Sequence, residues 1–358
     1  MKKFIPFKLY LQLYSNKHQE VSSGFTMLEA LATLLIGSII LSFAFGGFLS
    51  TRKIFLSDRG KLEANQRLRT VFTTIGPDIQ QTGEGLVSDP KLPAIEIKEV
   101  TIPHSTNKTS EIILRKAISP LFFNLCTDIT AGTTSYPNVI DNSDPNDNFC
   151  KVNDYQPIDG WPDTVKILRD LRLNKGDKLY AYIYNKNGGG EFFDYTGEEI
   201  LGADGNAMTP SVGTSPHTVN LKTNNHTWTR NYLEGSVIYL IDERQYRVVN
   251  NKLQLVLNNS QVLDIVENVD KLDITATLQK EVGGTEYVCR KIPPTATGDC
   301  SPSFPDPATE YSWAQIKSIN VTAKILPGED SNSNTAAILR EEDLTLTQKF
   351  FPRNRLSF

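Results

Sequence analysis

From Phe25 to Thr51 the chain reads FTMLEALATLLIGSIILSFAFGGFLST, 27 residues with a single ionisable side chain, Glu29. A helix of that length spans about 40 Å at 1.5 Å per residue, more than the hydrocarbon core of about 30 Å. It can cross a membrane. From Arg52 the apolar positions become periodic. Leu68, Val71 or Phe72, Ile75 and Ile79 recur every three or four residues, while Arg52, Lys53, Arg59, Lys61, Arg67 and Arg69 fall on other faces. This is the signature of an amphipathic helix that packs its stripe on its own domain. One continuous helix is predicted, kinked or shortened at Gly76-Pro77 and stopped at Gly83.

After Gly85 the pattern changes to short β-type runs, several of them alternating. Strands are predicted over 94–100, 111–118, 178–184, 236–242, 246–249, 253–257, 271–278, 316–325 and 344–350. Leu272, Ile274, Ala276 and Leu278 share one face, as do Ile319, Val321, Ala323 and Ile325. Asn250-Asn251 reads as a tight hairpin. Polar loops are predicted over 127–148, 185–190, 202–228 and 293–307, and no repeat of fixed period appears. The expected fold class is α+β: a long N-terminal helix, transmembrane over 25–51 and amphipathic over 52–83, packed on a large antiparallel β-rich domain at 84–358.

Composition adds limits. The 358 residues are 39% hydrophobic and 22% charged, with a formal charge of -4, which is neither a disordered chain nor one with a basic nucleic-acid surface. The segment 1–24 carries Lys2, Lys3, Lys8 and Lys17 against Glu20 and ends in Ser22, Ser23 and Gly24. That positive flank places the leader on the cytoplasmic side and the bulk of the chain outside. No small-x-small cleavage site follows the apolar run. A carboxylate such as Glu29 costs about 2.5 to 3.5 kcal/mol at the centre of a membrane helix, so it calls for a partner or a task. No cation within this helix supplies one.

The order Gly24-Phe25-Thr26-Met27-Leu28-Glu29, behind a basic leader and before some twenty apolar residues, resembles the class III signal of type IV prepilins and pseudopilins. The resemblance implies cleavage between Gly24 and Phe25 by a prepilin peptidase, N-methylation of Phe25 and retention of the apolar helix. It also implies that Glu29 of one subunit attracts the N-terminal amine of another and sets register during assembly. Ser38, Ser42 and Gly46 form a small-residue row at spacing four, flanked by Gly37 and Gly47. Such rows let helices approach closely in lipid, although Gly and Ser are frequent in membrane helices generally. Gly46-Gly47 also weakens the helix by about 1 kcal/mol per Gly relative to Ala, marking a place to stretch.

A second resemblance covers most of the chain outside about 118–230. DIQQTGEG, GSVIYLIDERQYRVVNNKLQL, VLDIVENVDKLDITATL, WAQIKSINVTAKIL and the terminal Arg353-Asn354-Arg355 of FFPRNRLSF follow in an order similar to PilW-type minor pilins of type IV pili. At the helix end, Gln80, Gln81 and Leu86 stand where that family usually has an Arg and an aromatic. The implied role is a minor subunit that starts or caps a pilus, at its tip or in a priming complex. Other minor pilins and the major pilin are the implied partners. The implied location is the inner membrane through 25–51 before assembly and the pilus afterwards. A J-type pseudopilin of a type II secretion system shares these features, and a tip adhesin or DNA-capture subunit is the other alternative. Once the leader is removed, 33 basic residues face 40 acidic ones, so nucleic acid is not the expected partner.

Four cysteines, Cys126, Cys150, Cys289 and Cys300, all follow the apolar helix and form no C-x-x-C pair. Three pairings are open. The two local ones, Cys126 with Cys150 and Cys289 with Cys300, are favoured, each closing a loop worth about 3 kcal/mol. His18, His104, His217 and His226 compose no H-E-x-x-H, and neither a G-x-S-x-G elbow nor a phosphate loop is present. The run DNSDPNDNFC has Phe149 where a calcium loop beginning at Asp144 needs Gly and Tyr155 where it needs Glu. The Gly188 to Gly190 stretch reads as a hairpin tip. No catalytic residue, cofactor or metal site is therefore expected, and a binding subunit rather than an enzyme is.

Overall fold

The computed structural model describes residues 26–86, 94–101, 108–119, 122–142, 150, 163–174, 176, 178–185, 189–209, 217–280, 284–305, 311–327 and 340–353. The leader at 1–24, the Gly24-Phe25 junction, positions 143–149 of the Asp/Asn run, Gly188 and the terminal Asn354-Arg355 lie outside them. The chain separates into two compact units, Met1–Leu56 and Ser57–Phe358.

Helix α1 runs over Met27–Gln81 and contains Pro77. The helix is not shortened at Gly76-Pro77 but continues to Gln81. The turn that proline would loosen is fastened from outside. Asp78 Oδ1 accepts from Arg244 Nη1 at 2.7 Å, and the Tyr246 hydroxyl donates to the same carboxylate. The helix ends just before Gly83, whose φ of 78° is left-handed. A Cβ on Gly83 would also collide with the Trp313 ring.

Fifteen strands are described: β1 (Ile95–Thr101), β2 (Lys108–Ala117), β3 (Phe123–Asn124), β4 (Asn138–Asp141), β5 (Leu179–Asn185), β6 (Gly189–Leu201), β7 (Thr218–Thr223), β8 (Val237–Val249), β9 (Lys252–Leu257), β10 (Gln261–Glu267), β11 (Val269–Gln279), β12 (Glu286–Cys289), β13 (Cys300–Ser301), β14 (Ile316–Ile325) and β15 (Thr345–Phe350). A second helix, α2 (Asp163–Asn174), lies between β4 and β5 in the chain. Among the described residues the first ten strands form one sheet and the last five another, in the order β13-β12-β11-β14-β15. Every pairing is antiparallel. The fold is α+β.

Strand β8 is the spine of the larger sheet. Its first half pairs with β5 and β3, and its second half with β2 and β9. The β8–β9 hairpin turns on Asn250 and Asn251, at φ 50° and 58°, a conformation that Asn tolerates better than most residues. Two large apolar cores follow from this arrangement. In one, Leu68, Val71, Phe72, Ile75 and Ile79 of α1 are buried with Ile95, Ile112, Tyr246 and Leu253 of the first sheet and Ile274, Ile319 and Val321 of the second. Side chains also bind the sheets directly: Leu272 N donates to Thr109 Oγ1 at 3.1 Å and Ile274 N to Ser110 Oγ at 3.0 Å. In the other core, Val165 and Leu168 of α2 pack with Leu179, Ala181, Phe193, Val219 and Leu240. Arg172 of α2 reaches Glu198 of β6 in two bonds of 3.2 and 2.9 Å, and the Tyr195 hydroxyl donates to the same carboxylate. Burial, reinforced by the Glu198 charge, holds the Tyr195 hydroxyl well above the usual phenol range.

Several sequence expectations change. Strands predicted separately over 236–242 and 246–249 form the single β8, and the supposed loops at 127–148, 202–228 and 293–307 contain β4, β7 and β13. The run 185–190 read as loop includes the start of β6, and α2, β10 and β12 were not anticipated.

Two predictions follow from the α1 packing. Ile75 is fully buried in the first core, so Ile75→Ala should cost about 2 to 5 kcal/mol in urea unfolding. Asp78→Ala should cost about 1 to 3 kcal/mol by stranding Arg244 and the buried Tyr246 hydroxyl. Combining it with Arg244→Met should cost less than the sum of the two single changes; additive costs would show that the pair is not coupled. A further prediction concerns acid. Burial works against ionisation of Glu96, but the bonds and charges of Lys98 and Arg115 outweigh it and hold the carboxyl below its usual range. A depressed pKa stabilises the fold above the unfolded value and loses that contribution as pH falls. Glu96→Gln should therefore be less stable than wild type at neutral pH, and the gap should close below about pH 4; a gap unchanged down to pH 3 would contradict this.

Candidate functional site

Two parts of the molecule are arranged beyond what a core requires: the helix surface of the first unit and the disulfide-tied loops of the second. In the first unit α1 is long and apolar enough to cross a membrane, and none of its most apolar stretch is buried. Leu34 is 71% exposed, Phe43 78% and Phe48 65%. Each such side chain left in water forgoes about 1.5 to 3 kcal/mol, so the segment as a whole forgoes tens of kcal/mol. Lipid or protein has to cover it.

The polar groups of this segment are few and mostly satisfied within the helix. Thr33 Oγ1 donates to the carbonyl of Glu29 at 3.0 Å or Ala30 at 2.9 Å, Ser38 Oγ to Leu35 at 2.8 Å, and Thr51 Oγ1 to Gly47 at 2.9 Å. Hydroxyls closed onto their own backbone ask nothing of hydrocarbon. Glu29 is different. It sits exposed in the first turn of α1, where the positive end of the helix dipole favours a carboxylate, and it is the sole ionisable group between Met27 and Thr51. Its expected partner, the Phe25 amine, lies outside the described residues.

Helical geometry separates two features that the sequence placed close together. At about 100° per residue, Glu29 shares its face with Thr33, Ile40 and Gly47, whereas Ser38 and Ser42 lie on the opposite side and Gly46 about a quarter-turn from it. A charge contact through Glu29 and a close approach along the small-residue row would use different neighbours. A Cβ placed on Gly37, Gly46 or Gly47 meets nothing within 4 Å, so the chain's own packing does not require glycine at these positions.

In the second unit Cys126 is joined to Cys150 and Cys289 to Cys300, with Cα separations of 5.6 and 4.0 Å, and no described cysteine is free. The first bond fastens the β4 segment, where Cys126 N also donates to the Asn138 carbonyl at 2.8 Å. The second links directly opposed residues of β12 and β13. Among the described residues no three His, Cys, Asp or Glu side chains converge on a metal position. His226 instead packs edge-on against Trp228, 4.6 Å between ring centres, with Nε2 3.4 Å from Glu191.

A polar cluster that sequence reading did not single out closes the end of α1. Asp78, Arg244 and Asp242 line a small open pocket with Thr82, Leu114, Arg115 and Lys116, and the Tyr246 hydroxyl bonds to Asp78 beside it. Arg115 is tied to Glu243 at 2.7 Å and to Glu96 at 3.1 Å. Burial and the Asp78 bond push the Tyr246 hydroxyl far up, so it stays a donor. The sequence did carry a signal, since Asp78 sits on the same helical stripe as Ile75 and Ile79. The cluster is a fastening of helix to sheet. The chain matches no protein-family model, no curated protein and no solved structure.

Because space around it is open, Gly46→Ala should raise local helix stability by about 1 kcal/mol, seen as slower amide exchange over 46–50 in detergent micelles. Unchanged exchange there would show that glycine is not a weak point in the helix.

Proposed function

We propose that the chain is a minor pilin of the PilW type, a structural subunit made as a membrane-anchored precursor and drawn into a type IV pilus. The observation that carries this reading is the exposed apolar helix with one acid, Glu29, in its first turn, directly behind the Gly24-Phe25 motif. A helix of this kind has two environments open to it, lipid and the interior of a helical bundle. In the proposed cycle a prepilin peptidase cuts after Gly24 and leaves the Phe25 amine four residues before Glu29. The carboxylate of an incoming subunit pairs with the amine of the subunit ahead, setting the axial step. The Ser38, Ser42 and Gly46 row, which runs from the opposite face round to the side of the helix, admits a second neighbour closely. The disulfide-bonded β-rich unit stays outside the membrane. Its size favours a low-copy place at the tip or in a priming complex with other minor pilins, because bulky heads crowd a dense fibre. A J-type pseudopilin would use the same helix; the Arg353-Asn354-Arg355 motif favours the pilus.

N-terminal analysis of the protein from producing cells should find N-methylated Phe25. Glu29→Ala should be cleaved normally yet be lost from sheared fibres by about tenfold or more, the scale expected for removing one ion pair of about 1.4 kcal/mol. A mature protein still starting at Met1, or undiminished incorporation of the Glu29→Ala variant, would refute the reading.

A further inference from the structure

Natural sheets protect their edges with bulges, charges, short strands or covering segments, and the described edges of this protein divide sharply on that criterion. Strand β1 is closed by two bonds with Ile292, Ile97 N to Ile292 O at 2.8 Å and the reverse at 3.0 Å. Strand β10 carries a bulge between Asp264 and Val266, and Lys252 bridges Asp264 at 3.1 Å and Glu267 at 3.0 Å across its hairpin. Strand β4 has four residues, and its Asp141 N is taken by the Cys150 carbonyl at 3.2 Å. Strands β3 and β13 have two residues each.

Strand β15 is six residues long, has no bulge and no covering segment among the described residues, and its one charge is Lys349. It pairs with β14 without a register shift from Thr345 to Phe350, contains no proline, and ends its sheet. Residues 346–349 are all exposed. Leu346 is 45% exposed although it is paired with Ala323, whose side chain is wholly buried, and the neighbouring Phe351 is 48% exposed. Among the described residues, apolar surface continuous with the strand is left open beside a backbone edge that pairs with no further strand. Lys349 makes no ion pair among the described residues. Its ammonium lies 5.6 Å from the Phe351 ring, and the carboxylate it influences, Glu286, is already bonded by Lys317.

We propose that β15 is a docking edge for an extended segment of a partner protein, which adds to it as a further strand. Backbone bonds supply the attachment, and alternate side chains supply the choice of partner. The partner strand carries an apolar residue against Leu346 and an acidic residue beside Lys349. This surface belongs wholly to the second unit and does not depend on the membrane helix or on Glu29.

The test uses the full chain in detergent and the soluble peptide Thr-Val-Thr-Thr-Glu-Thr-Thr-Val-Thr at about 1 mM, whose Glu lies three residues from a Val on either side and so meets Lys349 while a Val meets Leu346 in either strand direction. Hydrogen exchange of 345–350 should slow by about fivefold, while amides in β11 and β14 stay as they were and report an intact fold. Lys349→Glu should abolish the slowing, and the same peptide with Lys in place of its Glu should restore it. Exchange over 345–350 that ignores the peptide, or protection indifferent to the charge pairing, would overturn the proposal.

Discussion

An apolar helical stripe has to be buried, and in this protein the stripe from Leu68 to Ile79 is met by residues of both sheets. The consequence is structural economy. The same helix face that needs cover supplies the common floor on which β1, β2 and β8 meet β11 and β14, so neither sheet has to close on itself. Asp78 completes the arrangement. A carboxylate on a buried stripe would be costly alone, but Arg244 and Tyr246 satisfy it, and the cost of burial becomes a geometric pin between α1 and the spine strand β8.

How much of this could be read beforehand depended on how local each signal was. The α1 stripe and the strands around Ile274 and Val321 declare themselves through period, because their buried faces are long and uninterrupted. Helix α2 did not stand out: Val165 and Leu168 mark its face, but Arg172 occupies the next buried position and is buried only by virtue of Glu198. Strand β7, TVNLKT, lies in a polar tract and owes its state to pairing with β6 and β4, which no short window contains. Pro77 does not shorten the helix as its type suggests, and the residue after it, Asp78, is held by tertiary bonds. The Asp78 cluster itself was legible only as an odd acid on an apolar face, because its partners lie more than 160 residues away.

The two parts of α1 obey different rules. From Ala64 onward its apolar positions are periodic and buried; in the membrane-length stretch before it, apolar side chains surround the helix and none of the most apolar part is covered. Charge follows the same division, with Glu29 the one ionisable group of α1 before Arg52. A segment so built has no stable place in water, and its internally bonded hydroxyls make it as suited to the inside of a protein bundle as to lipid. On the proposed function, assembly is the exchange of one apolar surrounding for the other.

Oxygen-accessibility measurements on a spin label at Ile40 follow that exchange directly. In membranes the label should be readily reached by lipid-soluble oxygen, and in sheared fibres containing the same labelled protein it should be shielded. Equal oxygen access in both preparations, or fibres that never contain the labelled chain, would contradict the transfer of this helix from lipid into a filament.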